Sequence, residues 1–463
     1  MVERKVVSRI GIPLAFCLFF LGCQTYLTAK EKTNDAEIIV ADGGSPTPKL
    51  IAQLQRSPHV TPQSTYNRAF KLIKDQYYDQ TFSGQDWNRW ERRYNGKLKT
   101  SDESHKAIET MLASLGDTYT RFLDVDAFKD EKDQIEAHLY GVGMQLGMSP
   151  DHKVVVIAPI QDTPAYKAGM QPGDEITEVN HKIIKGQSLD QVVKQIRGPI
   201  NTTVAITFLR KGPKKDEVSR KEVNLKRAEI PIQAVVTQEI LPGNIGYIRL
   251  DSFISNKAEK EMKDALQKLD KADGLILDLR NNPGGLLTNA IEIAKMFLNR
   301  GIIVSTIDAD KYKQSQLQTG EAFYTKPLVV IINHGSASAS EILSGALRDN
   351  GRAELVGEKS FGKGLVQAIN RLDDESGINV TIARYLTPND TDIHKTGIIP
   401  DYKVELKAED YENNRGPWWV DLKMSNFKRS AADNNDLQLK KAIEVMKKKL
   451  AGENKTPATT ASK

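Results

Sequence analysis

Three serines, Ser336, Ser338 and Ser340, alternate through a run of small residues at 333–340, between the apolar segment 328–332 and a helical pattern at 339–347. Small side chains let a substrate backbone approach closely. A hydroxyl at the leading end of a helix sits where free N–H groups and the dipole favour a developing oxyanion. Serine becomes an effective nucleophile only when a base takes its proton. Further along, Lys363 stands between Gly362 and Gly364 and is flanked by Phe361, Leu365 and Val366. Apolar surroundings push a lysine toward its neutral amine, because desolvation penalises the ammonium, and a neutral amine is the form able to act as that base. Gln367, four residues on, would share a face of an extended strand with Lys363 and could hydrogen-bond its amine. The residues alone do not choose among the three serines, whose ordinary role in such a turn is helix capping and close packing.

Other chemistries are disfavoured. Residues 357–363, Gly-Glu-Lys-Ser-Phe-Gly-Lys, nearly spell a nucleotide P-loop, but Gly364 stands where Ser or Thr should hold magnesium. The apolar strand pattern ending near Asp278 precedes that loop instead of following it, so an ATPase is rejected. The seven histidines do not cluster at metal spacing. His334, four residues before Ser338, leaves a Ser–His pairing open on the residues alone. Only two cysteines occur, Cys17 and Cys23, both near the N-terminus, so the body of the chain has no disulfide framework, thiol nucleophile or cysteine metal site. No metal, nucleotide or organic cofactor is expected. The net charge is only +5 and the basic residues are scattered among acidic ones, unlike a nucleic-acid-binding stripe.

The elements that must position these residues follow from periodicity. At 463 residues the chain exceeds one ordinary core, and its 27% charged residues suit a globular protein. Residues 64–137 read as an N-terminal helical region, with Ile108, Met111, Leu112 and Leu115 at helical spacing before Gly116. Residues 138–212 read as small glycine-punctuated strands with two short helices. Residues 213–405 begin with a charged hairpin or loop, then alternate short apolar strands and helices, which implies a layered α/β core. Residues 406–463 hold Trp418, Trp419, a helix near 437–450 and a polar tail.

The quoted residues carry a family resemblance. Gly-Ser-Ala-Ser-Ala-Ser-Glu at 335–341, followed by Phe-Gly-Lys-Gly-Leu-Val-Gln at 361–367, resembles the carboxyl-terminal processing peptidases, also called tail-specific proteases. Leu-Gly-Asp-Thr-Tyr-Thr at 115–120, Gly-Tyr-Ile-Arg-Leu at 246–250, Asp-Leu-Arg-Asn-Asn-Pro-Gly-Gly at 278–285, Ala-Arg-Tyr-Leu-Thr-Pro at 383–388 and Gly-Ile-Ile-Pro-Asp at 397–401 appear in family order. The resemblance spans residues 65–404, with Thr118 where proline is common. It implies an α/β multidomain protein with a PDZ-like insertion, and a serine endopeptidase that cleaves proteins near their C-termini. It assigns Ser338 as nucleophile, Lys363 as general base, Gln367 as the residue orienting the lysine, and the backbone amides of Gly284 and Ala339 as the oxyanion hole. It leaves the position of His334 free, which implies a loop residue there.

The 138–212 segment resembles a bacterial PDZ domain. Consecutive N–H groups around Gly141, Val142, Gly143 and Met144 would bind a terminal carboxylate while the following strand pairs with an extended peptide. Val142, Met144 and Leu146 would favour an apolar last residue. The expected partners are therefore proteins or peptides with apolar C-termini; the sequence leaves an adaptor or a homo-oligomer open. The competing class is a non-catalytic scaffold that only captures termini.

Arg4, Lys5 and Arg9 precede an apolar run at 10–21, the pattern of an export signal across 1–29. Gly22-Cys23 resembles a bacterial lipoprotein cleavage site, with Phe20 where leucine is usual. Lipidation at Cys23, plain cleavage and an uncleaved anchor stay open, so attachment to a membrane through the N-terminus is one outcome. The expected location is the bacterial periplasm or cell envelope. Residues 30–63 read as a linker.

Overall fold

The computed structural model describes residues 60–136, 138–148, 152–160, 163–171, 173–211, 218–231, 233–419, 430–433 and 435–452. The stretch read as an export signal, Cys23, most of the stretch read as a linker and the end of the tail lie outside these residues. The first helix, α1 (Pro62–Gln76), starts two residues inside the stretch read as linker. Proline suits a first helical turn, where its missing N–H leaves no bond unmade. Tyr66, Ala69, Phe70 and Ile73 recur along one face of α1 and bury against Trp87, against Trp90 of α2 (Asn88–Tyr94), and against Ile108 and Met111 of α3 (Ser101–Ala113). Thr100 and Glu103 form a capping box at the start of α3. The region is not wholly helical. Before α4 (Val125–Ile135) the chain forms β1 (Arg121–Leu123), antiparallel to a distant strand at 377–379. Three residues are too few to show alternation, so periodicity had no means of revealing this strand.

Next come β2 (His138–Gly141), β3 (Met144–Met148), β4 (Val154–Pro159), α5 (Pro164–Lys167), β5 (Glu175–Val179), β6 (Lys182–Ile183) and α6 (Leu189–Ile196). They are followed by β7 (Thr203–Lys211), β8 (Val218–Lys226) and β9 (Ala228–Pro231). The sheet runs β3-β4-β5-β7-β8, with β3 at its edge, while β2 closes on β9. Strand β8, in the range read as the start of the core, instead pairs with β7 of this sheet, from Thr203↔Lys226 to Lys211↔Val218.

The remaining chain builds β10 (Val235–Leu241), β11 (Ile245–Leu250), α7 (Ala258–Lys268), β12 (Gly274–Asp278) and α8 (Leu287–Phe297). Then follow β13 (Gly301–Asp308), β14 (Lys313–Gln318), β15 (Leu328–Ile332), α9 (Ala339–Asp349), β16 (Glu354–Gly357), β17 (Leu365–Arg371) and β18 (Gly377–Leu386). The last described elements are β19 (Tyr402–Lys403), α10 (Ala408–Glu412) and α11 (Leu437–Leu450).

One sheet runs β10-β11-β12-β15-β16-β19, parallel from β11 onward. A parallel sheet needs both faces covered, and its strands are accordingly unbroken apolar runs. Leu275, Leu277, Leu328, Val330 and Ile332 join the cluster that contains residues of α7, α8 and α9. Ile276, Val329 and Ile331 lie in a second cluster with Leu439, Ala442 and Val445 of α11. The second sheet, β1-β18-β13-β14 with β17 on β18, carries the N-terminal helices through Leu372, Ile378 and Val380. Because β12, β15 and β16 are neighbours and parallel, the loops leaving their C-terminal ends emerge side by side. Those loops carry Gly284, Ser338 and Lys363. Ligand sites of open α/β sheets form at this end of the strands.

Candidate active site

The three serines separate by environment. Ser336 and Ser340 are fully buried, and their hydroxyls donate to the carbonyls of Leu279 (2.8 Å) and Asn282 (2.9 Å). They pin the β15–α9 loop onto the loop after β12. Ser338 is partly exposed and takes φ 55° and ψ −114° at the N-cap of α9. A non-glycine residue in that conformation stores roughly 1–3 kcal/mol of strain, which its surroundings must impose.

Glu341, completely buried in the first turn of α9, imposes it. Its Oε2 accepts the backbone N–H groups of both Ser338 (2.9 Å) and Lys363 (2.8 Å). Its Oε1 accepts Gly362 N–H at 2.7 Å and the Ser360 hydroxyl at 2.6 Å. One carboxylate therefore ties the serine loop and the lysine loop to a common pair of oxygens. The sequence reading gave Glu341 no role, although Ser338 and Glu341 have the spacing of a capping box. Gly362, at φ +91°, is packed so tightly that an added Cβ would stand 2.9 Å from Gly397 N. Glycine here lets the 393–397 turn press on the lysine loop.

The Lys363 side chain is part-buried. Its amine stands over the Tyr119 ring, 4.7 Å from the centroid, and no hydrogen bond joins it to Ser338 among the described residues. Burial, reinforced by the positive charge of Arg121, holds this amine below the ordinary lysine range; Asp117, Glu131 and Glu341 oppose the shift. Tyr119 owes its position to Asp117, whose carboxylate accepts Tyr119 N–H (2.9 Å) and the hydroxyls of Thr120 (2.7 Å) and Thr381 (2.6 Å). The motif at 115–120 thus builds the wall against which the lysine rests. Beside it opens a cavity of about 390 Å³, lined in part by Tyr77, Tyr78, Asp117, Tyr119, Phe361 and His394. Among the described residues no hydrogen bond joins Gln367, on β17, to the lysine amine, and the Gln367 Nε2 is buried without a hydrogen-bond partner.

Gly284, at φ +97°, lies directly against the serine turn: an added Cβ would stand 2.9 Å from both Ser338 Cβ and Ala339 N. The N–H of Ala339, the first residue of α9, has no intrahelical acceptor. The N–H of Gly284, expected to face an oxyanion, instead donates to Asn282 Oδ1 at 2.9 Å. His334 is largely exposed and contacts Glu358 at 3.2 Å. The P-loop look-alike ends at Lys363 and runs into strand β17 rather than a helix.

In the small-strand domain, Gly143 has φ +77°, and an added Cβ would stand 2.2 Å from the Thr163 side chain, so only glycine fits. Its carbonyl accepts Ile160 N–H and the Thr163 hydroxyl, both at 2.9 Å. Gly141 pairs with Ala228. Val142 is buried in the domain's own core, so it does not line a groove as the sequence suggested. Met144 and Leu146, on edge strand β3, and Leu189 of α6 each pack part-buried against that same core. Among the described residues no strand pairs with the outer edge of β3, and α6 packs near it; an open strand edge beside a helix is the kind of place that accepts an added strand.

The parallel sheet thus brings Ser338, at the strained head of a helix, and Lys363 onto one buried carboxylate, an arrangement suited to a serine peptidase, and the chain also carries a small domain of short strands. Comparison with known proteins agrees. Residues 244–404 match peptidase family S41 and residues 155–210 match the PDZ domain. The chain is 43% identical over 345 residues to the carboxyl-terminal-processing protease of Synechocystis sp., covering 73% of this chain and 80% of that protein. It is 36% identical over 394 residues to the carboxy-terminal processing protease CtpA of Bacillus subtilis, covering 84% and 77%. The solved photosystem II D1 C-terminal processing protease superposes with a TM-score of 0.52 at 32% identity, covering 75% of this chain and 94% of that one. The chain belongs to the carboxyl-terminal processing proteases, serine peptidases of family S41, and carries a PDZ domain.

Proposed function

We propose that the protein is an endopeptidase in which Ser338 attacks the peptide carbonyl, Lys363 accepts and returns its proton, and the PDZ groove holds the substrate's C-terminus. The observation that carries this reading is the shared carboxylate: Glu341 Oε2 accepts the main-chain N–H of both residues. The lysine needs only a side-chain swing to leave Tyr119. A cation–π contact of this kind is worth about 0.5–2 kcal/mol, a small toll against the substrate-binding energy available to offset it. A half-turn of the Gln367 amide would bring its carbonyl oxygen to a buried position now held by an unpartnered N–H, where it could accept from the amine. The Ala339 amide is poised for an oxyanion, and the Gly284 amide joins it once Asn282 releases it. Water then cleaves the acyl-enzyme. The residues at 141–144 and edge strand β3 would take an extended tail ending in an apolar residue with a free carboxylate. The N-terminal basic and apolar pattern supports export to the periplasm or envelope as part of the same proposal. The intact set of residues disfavours a non-catalytic scaffold.

Amidating the C-terminus of an apolar-tailed protein substrate should raise KM about tenfold or more, the loss of roughly 1.4 kcal/mol of carboxylate binding, while leaving kcat within twofold. Steady-state kinetics on the two forms check this. Equal KM values would remove the carboxylate from the recognition scheme.

A further inference from the structure

Beyond the segment that matches family S41, the chain reaches back under the active site. Arg280, which opens the loop leading to Gly284, is buried, and so are its partners Asp278, Asp436 and Gln438. Its guanidinium donates to Asp278 Oδ2 (2.6 Å), Asp436 Oδ1 (2.9 Å) and Gln438 Oε1 (3.1 Å). Asp278 also accepts the Tyr247 hydroxyl at 2.8 Å, and Tyr247 in turn accepts Trp418 Nε1–H at 3.0 Å. Asp436 is the N-cap of α11, where it accepts the N–H groups of Gln438 and Leu439.

From Arg280 the connection to the serine is continuous. Asn281, at φ 58°, donates its N–H to Asn333 Oδ1 (2.9 Å) and accepts Asn333 Nδ2–H (2.8 Å). Asn282 holds Gly284 N–H through Oδ1, and its carbonyl accepts Ala337 N–H (3.0 Å) and the Ser340 hydroxyl (2.9 Å). A buried guanidinium is tolerated only where carboxylates meet it, and removing one leaves a charge uncompensated in low dielectric. Asp278 lies on β12 itself. Asp436 comes from another part of the chain and is the group that fixes Arg280 from the far side.

We infer that Asp436 is a positioning residue for the peptidase reaction: through Arg280 it sets the loop that presents Gly284 to the Ser338 oxyanion site, so the C-terminal helix is a working part of the catalytic centre. This rests on reading Ser338 as the nucleophile. Misplacing an oxyanion donor by about 1 Å weakens the transition state far more than the ground state, so kcat suffers while KM is spared.

The test compares full-length wild type, Asp436→Asn, Leu439→Ala and Ser338→Ala on one unfolded protein substrate, with kcat corrected for folded fraction by circular dichroism. Leu439→Ala loosens the same helix without touching Arg280. Asp436→Asn should lower kcat by about 10–100-fold with KM unchanged, and Leu439→Ala should melt earlier yet keep its kcat. A wild-type kcat in Asp436→Asn, or a kcat loss in both variants that simply tracks lost stability, overturns the inference. If Asp436→Asn does not fold, Gln438→Leu, which removes one Arg280 acceptor, should still lower kcat several-fold at constant KM, and no change in kcat overturns it. Persistent cleavage by Ser338→Ala would refute the nucleophile assignment and the inference with it, whereas an inactive Ser338→Ala beside a wild-type kcat in Asp436→Asn overturns the inference alone.

Discussion

Replacing Ser338 with alanine should reduce peptide cleavage by about 10⁶-fold, the scale on which loss of a serine nucleophile leaves only residual binding and electrostatic catalysis. Lys363→Ala should lower kcat by about 10²–10⁴-fold, the share typical of a positioned general base. Neither change should disturb the fold much. The Ser338 hydroxyl is not one of the two that lock the loops, and the Lys363 anchor to Glu341 runs through its backbone N–H, which alanine retains. Thermal unfolding beside single-turnover kinetics measures both. The pair should also be non-additive, since removing the nucleophile leaves the base nothing to activate. If the double variant were slower than Ser338→Ala by a further large factor, the lysine would be serving some step other than activation of that serine.

The second large effect is expected at Glu341. Glu341→Gln preserves size and shape but replaces one carboxylate oxygen with an NH₂ that cannot accept a hydrogen bond. If that group faces Ser338 and Lys363, two N–H donors lose their acceptor; if it faces Ser360 and Gly362, the loss falls there instead. Each stranded buried donor costs about 1–3 kcal/mol, so a destabilisation of about 2–6 kcal/mol is expected. Activity should fall by about 10²-fold at temperatures where the variant stays folded, because serine and lysine no longer share a frame. Chemical denaturation combined with kinetics on the folded enzyme separates the two losses. Wild-type kcat in a folded Glu341→Gln protein would mean that the loops hold their register without the carboxylate.

The α/β core was legible because β12 and β15 are uninterrupted apolar strands and α9 follows at helical spacing. Their boundaries shifted by only a residue or two. The candidate site came from residue types, Ser338 and Lys363, and from a family pattern, and its roles rest with the proposal above. What could not be read was how distant segments meet. The choice among three serines depends on Ser336 and Ser340 reaching the carbonyls of Leu279 and Asn282, contacts invisible to local periodicity. Glu341 drew no role from the sequence, and its bonds to Gly362 and Lys363 exist only because β15 and β16 are neighbours in the sheet. Arg280 and Asp436 lie 156 positions apart, and an arginine after a strand gives no sign that a helix far along the chain will complete its charge balance. The β1 strand escaped notice because it is three residues long and its partner is in another region.

In the proposed reaction a neutral Lys363 amine activates Ser338. This step is tested most directly by the pH dependence of Ser338 labelling by a fluorophosphonate, with the labelled residue identified by mass spectrometry. The amine must be neutral to accept a proton, so the labelling rate should climb with pH and level off above the amine's pKa. Because burial and Arg121 depress that pKa, the climb should lie below the ordinary lysine value of about 10.4, and Lys363→Ala should abolish it. A labelling rate identical in wild type and Lys363→Ala across the whole range, or label found on Ser336 or Ser340, would contradict the account.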